Sequence, residues 1–342
     1  MHFRSFAKTN LLIGLSPMDG ITDEAFRLTQ VHIAKPDVLF TEFVNAEGLA
    51  HGGLKLFDNL LYSPEERPII AQLFGKNPDS FYTAAIILCL LGFDGIDINF
   101  GCPARTVTQH GSGAALIDQP ALASEIITAV QSAVNDFATA KVKISQLGLK
   151  PKILEIISRQ SLPTNSPPTI SAKTRLGINQ SVINTWIPHL LKHHLDIITL
   201  HGRTLKQAYA GTADWSEIQK AAQIASGSGT LIWGNGDIQT RGQGIESCQK
   251  YNLNGVLIGR AALGNPWAFA DHLPTRQERF DAALYHFQIF LKTFPHRRTD
   301  PLRRHLLAYV SGLPHASNLR SQLVRVNNLE DLLILEKEIL QE

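Results

Sequence analysis

The sequence predicts a (β/α)8 barrel followed by a small all-helical C-terminal domain. Eight short β-rich runs recur up to Arg260, and amphipathic stretches of helical length separate most of them. After about residue 272 the β pattern stops and only helix-like segments remain. Parallel strands covered on both faces read as continuous apolar runs rather than strict alternation, and most of these runs are of that kind. A doubly wound sheet is the other architecture with this rhythm. The number of β-α units and the lack of GxGxxG after the first run count against it. The expected division is a barrel over 1–271 and a helical domain over 272–342.

In chain order the strand candidates are "LLIGLS" (11–16), "VLFTEF" (38–43), "IIAQLF" (69–74) and "GIDINF" (95–100). They continue with "TISAKT" (169–174), "DIITLH" (196–201), "TLIWGN" (230–235) and "GVLIGR" (255–260). Helical stretches fall at 78–92, 121–135, 180–194, 214–226 and 239–251. Residues 138–168 break the rhythm with an extra helix, "PKILEIISRQ", and a proline-rich loop, "SLPTNSPPT". Barrels tolerate such insertions, and this one carries no evident chemistry. In the tail, "FDAALYHFQIFLKTF", "DPLRRHLLAYVSGL" and "LEDLLILEKEILQ" read as helices.

Composition bounds the function. The chain has 342 residues, 44% apolar and 18% charged, as expected for a globular protein with a real core. No apolar run approaches the roughly 18 residues needed to cross a bilayer, and the run behind the N-terminus is too short for a signal peptide. The expectation is a cytoplasmic location. Cys89, Cys102 and Cys248 form no CxxC, so neither a disulfide framework nor a metal site is suggested. Net charge is +2, but it is uneven: residues 272–325 hold nine Lys+Arg against three acids. Such a block is either an ordinary solvated face or a phosphate-binding one.

In a barrel of this kind chemistry sits at the C-terminal ends of the strands. Polar residues collect there: "SPMDG" after the first strand, Gln72 in the third, Asn99 and then Cys102 at the fourth, Lys173 and Arg175 at the fifth. His201 and Arg203 end the sixth, Asn235, Gly236 and Asp237 the seventh, Gly259 and Arg260 the eighth. A lone histidine is often a satisfied core residue, and a lone lysine an ion-pair partner. The recurrence at seven strand ends is what carries weight. The glycines of "GNGD" and "IGRAALGN", each with a helix start nearby, fit a phosphate. With Lys173 and His201 facing a ring, this suggests FMN, since no adenylate fingerprint is present; a phosphorylated sugar is the other ligand of this chemistry. Cys102, held between Gly101 and Pro103, can act as a proton donor or, with a lowered pKa, as a nucleophile. His110 lies on the same loop but makes no clear Cys–His pair, which favours the acid.

Together these residues resemble the tRNA-dihydrouridine synthase family. The matching pieces are "LSPMDGITDEAFR", "QLFG", "DINFGCPARTVTQHGSGAALI", "AKTRLG", "LHGRTLKQAYAGTADW", "GNGDI" and "GVLIGRAALGNPW". The tail "GLPHASNLRSQLVRVNNLEDLLIL" is similar to the helical domain of bacterial members. The resemblance implies a flavoenzyme that holds FMN, takes hydride from NADPH and reduces the C5–C6 double bond of a uridine in tRNA. Cys102 would be the general acid. Pro17, Met18 and Asp19 would line the flavin, Gln72 and Lys173 would contact its ring, and His201 would lie close by. Asn235, Gly236, Asp237, Gly259 and Arg260 would hold its ribityl and phosphate. Asn99, Arg175 and Arg203 would face the uracil or nearby RNA. The basic tail would bind tRNA, with no metal and no membrane partner, in a monomer. Three departures stand out: Ser16, Trp233 before "GNGD", and the 138–168 insertion. A flavin barrel for a free pyrimidine or small enone, and a non-catalytic RNA-binding protein, are the competing readings.

Overall fold

The computed structural model describes residues 3–109, 111–160, 162, 166–270 and 272–341. His110 and, in the proline-rich loop, residues 161 and 163–165 lie outside the described residues. The eight expected runs are all strands: β1 (Leu12–Leu15), β2 (Leu39–Asn45), β3 (Ile69–Phe74), β4 (Gly95–Phe100), β5 (Thr169–Arg175), β6 (Ile197–His201), β7 (Leu231–Asn235) and β8 (Gly255–Ile258). They form one parallel sheet in the order β1-β8-β7-β6-β5-β4-β3-β2. Two backbone hydrogen bonds join its outer members: Asp37 N–H donates to Ile13 O and Leu15 N–H to Val38 O, each at 3.0 Å. The sheet therefore closes on itself as a (β/α)8 barrel.

Local chemistry starts and stops the surrounding helices. In Pro78–Leu91 the Asn77 side chain accepts from Ser80 N–H, Pro78 occupies the first turn, and Gly92 ends the helix at φ 82°. In Arg241–Tyr251 the Thr240 side chain caps the start and Asn252, at φ 54°, the end. A short helix absent from the expectations, Phe3–Thr9, precedes β1. Its Phe3 ring meets Trp233 edge to face at 6.4 Å, within a buried cluster that includes Leu12, Phe40, Ile70, Ile197 and Leu257. Trp233 thus belongs to the barrel's floor layer and not to its mouth. The insertion forms the expected helix, Pro151–Gln160, which buries Ile153 and Ile157 against the barrel's outer helices. Cys89 and Cys248 are buried, and burial pushes both thiols up to about 12.

The C-terminal region is helical: Arg276–Thr293, Leu302–Tyr309, Ala316–Leu323 and Leu329–Gln341. The third of these was not read from the sequence. Phe280, Phe287, Phe290, Leu306 and Tyr309 share one apolar cluster with Ala25 of the barrel helix Glu24–Ala34. His286 and His305 are buried beside Phe26, and burial keeps both well below the usual histidine value. Arg297 pairs with Asp58 at 3.0 Å, and Arg304 donates to Gly20 O at 2.9 Å.

Gly264 marks how closely this region is seated. Its φ is +65°, and a Cβ there would lie 2.3 Å from the Ala308 carbonyl carbon. Gly264→Ala should lower stability by about 2 kcal/mol or more, through left-handed strain and overlap with a backbone atom. Urea unfolding measures this, and an unchanged midpoint would contradict the seating.

Candidate active site

The strand ends surround one cavity of about 840 Å³ at the C-terminal mouth of the barrel. That is within the range of roughly 300–1,000 Å³ usual for small-molecule sites. The loop after β1 brings Pro17, Met18 and Asp19 to it; β3 and β4 bring Gln72, Asn99 and the following Cys102; β5 and β6 bring Lys173, Arg175 and His201. Asn235, Gly236 and Asp237 close the wall after β7, and Gly259 and Arg260 after β8. Of the candidates named from the sequence, Arg203 alone does not line the cavity.

Arg203 lies behind the wall and is only 2% exposed. It donates to both carboxylate oxygens of Asp237, at 2.9 and 2.7 Å, and to Gly211 O at 2.6 Å. Its distance from the mouth has a simple cause: Asp237 also accepts from Ala213 N–H and Arg260, and gathers the β6 and β8 loops around one carboxylate. Burial works against that charge. The Ala213 N–H and the Arg203 guanidinium outweigh it and hold the carboxyl below its usual range.

Cys102 is 8% exposed. Burial pushes its thiol up, against the opposing pull of the Ala104 N–H, Arg175 and Lys173. A neutral thiol, rather than a thiolate, is the resting state at neutral pH. The corner that carries it is held from both sides. Asn99 Oδ1 accepts from the N–H groups of Gly101 and Cys102, and Arg175 Nε donates to Gly101 O at 2.7 Å. Arg175 also donates to Thr204 O and Ala208 O, tying β5 to the β6 loop.

The rest of the mouth is electropositive. Burial, then the nearby Arg175, lowers Lys173 to about 8. The Lys173 ammonium makes no hydrogen bond or ion pair to another described residue. Burial, then the Lys173, Arg175 and Arg203 cations, push His201 far down, so its imidazole is neutral. Arg203 Nη1 lies 3.4 Å from His201 Nε2, which leaves the ring proton on Nδ1. The N–H groups of Gly236, Asp237, Gly259 and Arg260 find no acceptor among the described residues. Gly236 sits at φ +129°, and a Cβ there would come within 2.7 Å of Ala213. These unpaired donors and the unpaired ammonium suit an anionic ligand with a phosphate and a polar ring.

Sequence reasoning missed several wall residues. Phe43 lines the cavity, and its neighbour Glu42, raised to about 7 by burial, accepts from Gly20 N–H. Tyr209 also lines it, 59% exposed, with the Arg260 guanidinium 4.8 Å from its ring centre. The signal for Tyr209 was present in the "QAYAGTADW" run, although no role was drawn from it. Among the described residues no group of three or more His, Cys, Asp or Glu is arranged to hold a metal ion. No helix among them is long and apolar enough to cross a membrane.

Comparison with known proteins adds a separate finding. The family model described as Dihydrouridine synthase (Dus) matches residues 14–161 and 150–342. A probable tRNA-dihydrouridine synthase of Staphylococcus aureus (strain COL) is 32% identical over 328 residues, covering 93% of this chain and 89% of that one. A probable tRNA-dihydrouridine synthase 2 of Bacillus subtilis (strain 168) is 30% identical over 329 residues, covering 93% and 90%.

The raised Cys102 thiol gives a direct expectation. Its alkylation by iodoacetamide, followed by peptide mass spectrometry, should be slow at neutral pH and climb with an inflection above the ordinary thiol value of about 8.5. An inflection below that value would overturn the neutral-thiol assignment.

Proposed function

This chain belongs to the dihydrouridine synthase family, and we propose that it reduces the C5–C6 double bond of a uridine in tRNA, with FMN bound and NADPH as electron donor. The observation that carries the proposal is a buried, protonated Cys102 sharing one cavity with the unpaired Lys173 ammonium. A ring reduction of this type needs a hydride donor and a neutral acid at the same ring.

The residues present fit FMN. The N–H groups of Gly236, Asp237, Gly259 and Arg260 would receive the phosphate and ribityl chain, with Asn235 beside them holding β7 to β8 through Leu257 O. Lys173 and the neutral His201 would face the polar edge of the ring, and the ammonium would favour its reduced, anionic form. Pro17, Met18 and Asp19 would line it, and Gln72 retains one N–H for it. When bound, FMN would supply to uracil C6 a hydride received from NADPH. Cys102 Sγ–H would give its proton to C5, leaving a thiolate that takes a proton from solvent. Asn99 has one N–H left for the pyrimidine, and Arg175 orients the Cys102 corner beside it. Arg203 would act through Asp237 and not by touching the base.

Residues 272–342 would be the tRNA-binding domain. The structure narrows which cations are available for phosphate. Arg297 is paired with Asp58, and both Arg298 and Arg303 with Asp300. Lys292, Arg320 and Arg325 are exposed and make no ion pair with another described residue. A site for a free pyrimidine has no use for such a face, which supports tRNA over a small substrate. A uridine in folded tRNA must leave its stack to reach the mouth, at a cost of a few kcal/mol that phosphate contacts offset.

The purified protein should carry FMN and form dihydrouridine in tRNA with NADPH; a colourless, inactive preparation would count against the whole reading. Cys102→Ala should keep flavin and tRNA binding but lose about a hundredfold or more in uridine reduction. Retained activity would remove the acid role. Arg320→Glu with Arg325→Glu should weaken tRNA binding and lower its salt dependence by about one unit of slope per side chain. Filter binding across salt concentrations measures this, and an unchanged slope would reject the tail as the docking face.

A further inference from the structure

The polar groups beneath Cys102 form one hydrogen-bonded line with a single direction. Asp97, on β4, is fully buried and does not border the cavity. Its carboxylate accepts from Ser171 Oγ–H at 2.5 Å and from Gln72 Nε2–H at 2.6 Å. Gln72 Oε1 accepts from Asn99 Nδ2–H at 2.8 Å. Asn99 Oδ1 accepts from Gly101 N–H at 2.9 Å and Cys102 N–H at 2.8 Å.

Both ends of the line impose the same polarity. An ionised carboxylate only accepts, so Gln72 must turn its NH2 group toward Asp97. Two backbone N–H groups only donate, so Asn99 must turn its carbonyl oxygen toward them. Between the two amides an acceptor then faces a donor. Rotating either amide alone by half a turn would set donor against donor or acceptor against acceptor. A buried polar group left unsatisfied in this way costs about 1–3 kcal/mol.

We propose that Asp97 is a positioning residue: its carboxylate sets the orientation of Gln72 and Asn99, and through them holds the Gly101–Cys102 corner over the cavity. The catalytic consequence rests on the reading of Cys102 as proton donor, whereas the positioning itself rests on the hydrogen-bond line alone. A charge at this place has a reason that shape does not supply. Asparagine there could turn its NH2 group toward Gln72, and the line would then be oriented only from its other end, by the Gly101 and Cys102 N–H groups. Nor is Asp97 simply the counter-ion of Lys173. The two make no ion pair, and each Asp97 oxygen is already engaged by Ser171 or Gln72. Burial raises Asp97 to about 6, and the Ser171 and Gln72 hydrogen bonds oppose that rise, so the ionised form dominates at neutral pH.

The test uses the full-length flavoprotein with Asp97→Leu and Asp97→Asn, reading Cys102 alkylation by iodoacetamide, bound flavin, and kcat and KM with tRNA. Losing the orienting acceptor frees the corner by the worth of about one hydrogen bond, so Asp97→Leu should alkylate about tenfold faster and lose about tenfold in kcat. KM for tRNA and flavin content should stay at wild-type values, and Asp97→Asn should fall between wild type and Asp97→Leu. Should Asp97→Leu fail to fold, Asp97→Asn decides by the same readouts. Wild-type alkylation rates in the folded variants, or a loss of kcat that only follows loss of flavin, would overturn the proposal. A wild-type enzyme that forms no dihydrouridine would instead overturn the functional reading, and the alkylation comparison would still decide the role of Asp97.

Discussion

A half-buried ammonium without a carboxylate partner is the constraint around which this mouth is built. Lys173 lies among Arg175, Arg203 and His201, and the main opposing charge acting on it is the already engaged Asp97. Taking an ion out of water costs several kcal/mol unless partners replace the lost solvation. The protein alone does not replace it, which is why Lys173 is lowered toward neutrality. The same crowd of cations keeps His201 uncharged. It also pulls the Cys102 thiol toward ionisation, but burial prevails there and the sulfur keeps its proton. One electrostatic arrangement thus yields a cation in need of an anion, a neutral imidazole and a neutral acid, all on one cavity.

The barrel's register explains why those groups meet. Asn99, Lys173, Thr199 and Trp233 are successive partners across β4 to β7. The first two border the cavity, whereas Trp233 lies in the floor cluster. The next row runs Arg175, His201, Asn235 and Leu257, and only Leu257 reaches the floor. Barrel strands tilt by about 36°, so a row of register partners descends from mouth to floor as it crosses the sheet. The residue that reaches the mouth therefore lies later along each successive strand. That is why Trp233, two positions before Asn235 and on the same face, is walled off from the mouth beside Phe3.

Parity and strand ends were legible in the amino-acid sequence, because an inward polar residue at the end of an apolar run has few explanations. All eight strands follow from that reasoning, and every candidate it named except Arg203 borders the cavity. Arg203 shows its limit. It follows His201 at an inward-compatible spacing, but beyond the strand the loop decides direction, and Asp237 captures the side chain. Asp97 was passed over for a related reason: it sits mid-strand, where a polar residue marks a buried network and not a strand end. The tail shows a third limit. Counting charges in 272–325 gives a basic block, yet Arg297 meets an aspartate 239 residues earlier, a pairing that no local pattern announces. Helix Ala316–Leu323 has only Leu319 and Leu323 buried, too short an apolar stripe to separate it from a turn.

The loop after β1 ties these features together, because it is braced from three directions. The buried Arg27 donates to Thr22 O at 2.6 Å while pairing with the equally buried Glu66. Glu42 receives the Gly20 N–H, and Arg304 of the C-terminal region donates to Gly20 O. Met18 and Asp19, which border the cavity, sit on this same loop. A segment with few degrees of freedom left cannot shift on one side without moving on the other. The helical region is therefore seated on the wall of the cavity itself rather than on a distant part of the barrel. In the proposed function, the geometry with which tRNA phosphates rest on Lys292, Arg320 and Arg325 is carried to the mouth through the contact between Arg304 and Gly20. In that reading, which uridine arrives there would depend on the angle of that seat, a property of the interface between the two regions and not of the catalytic groups.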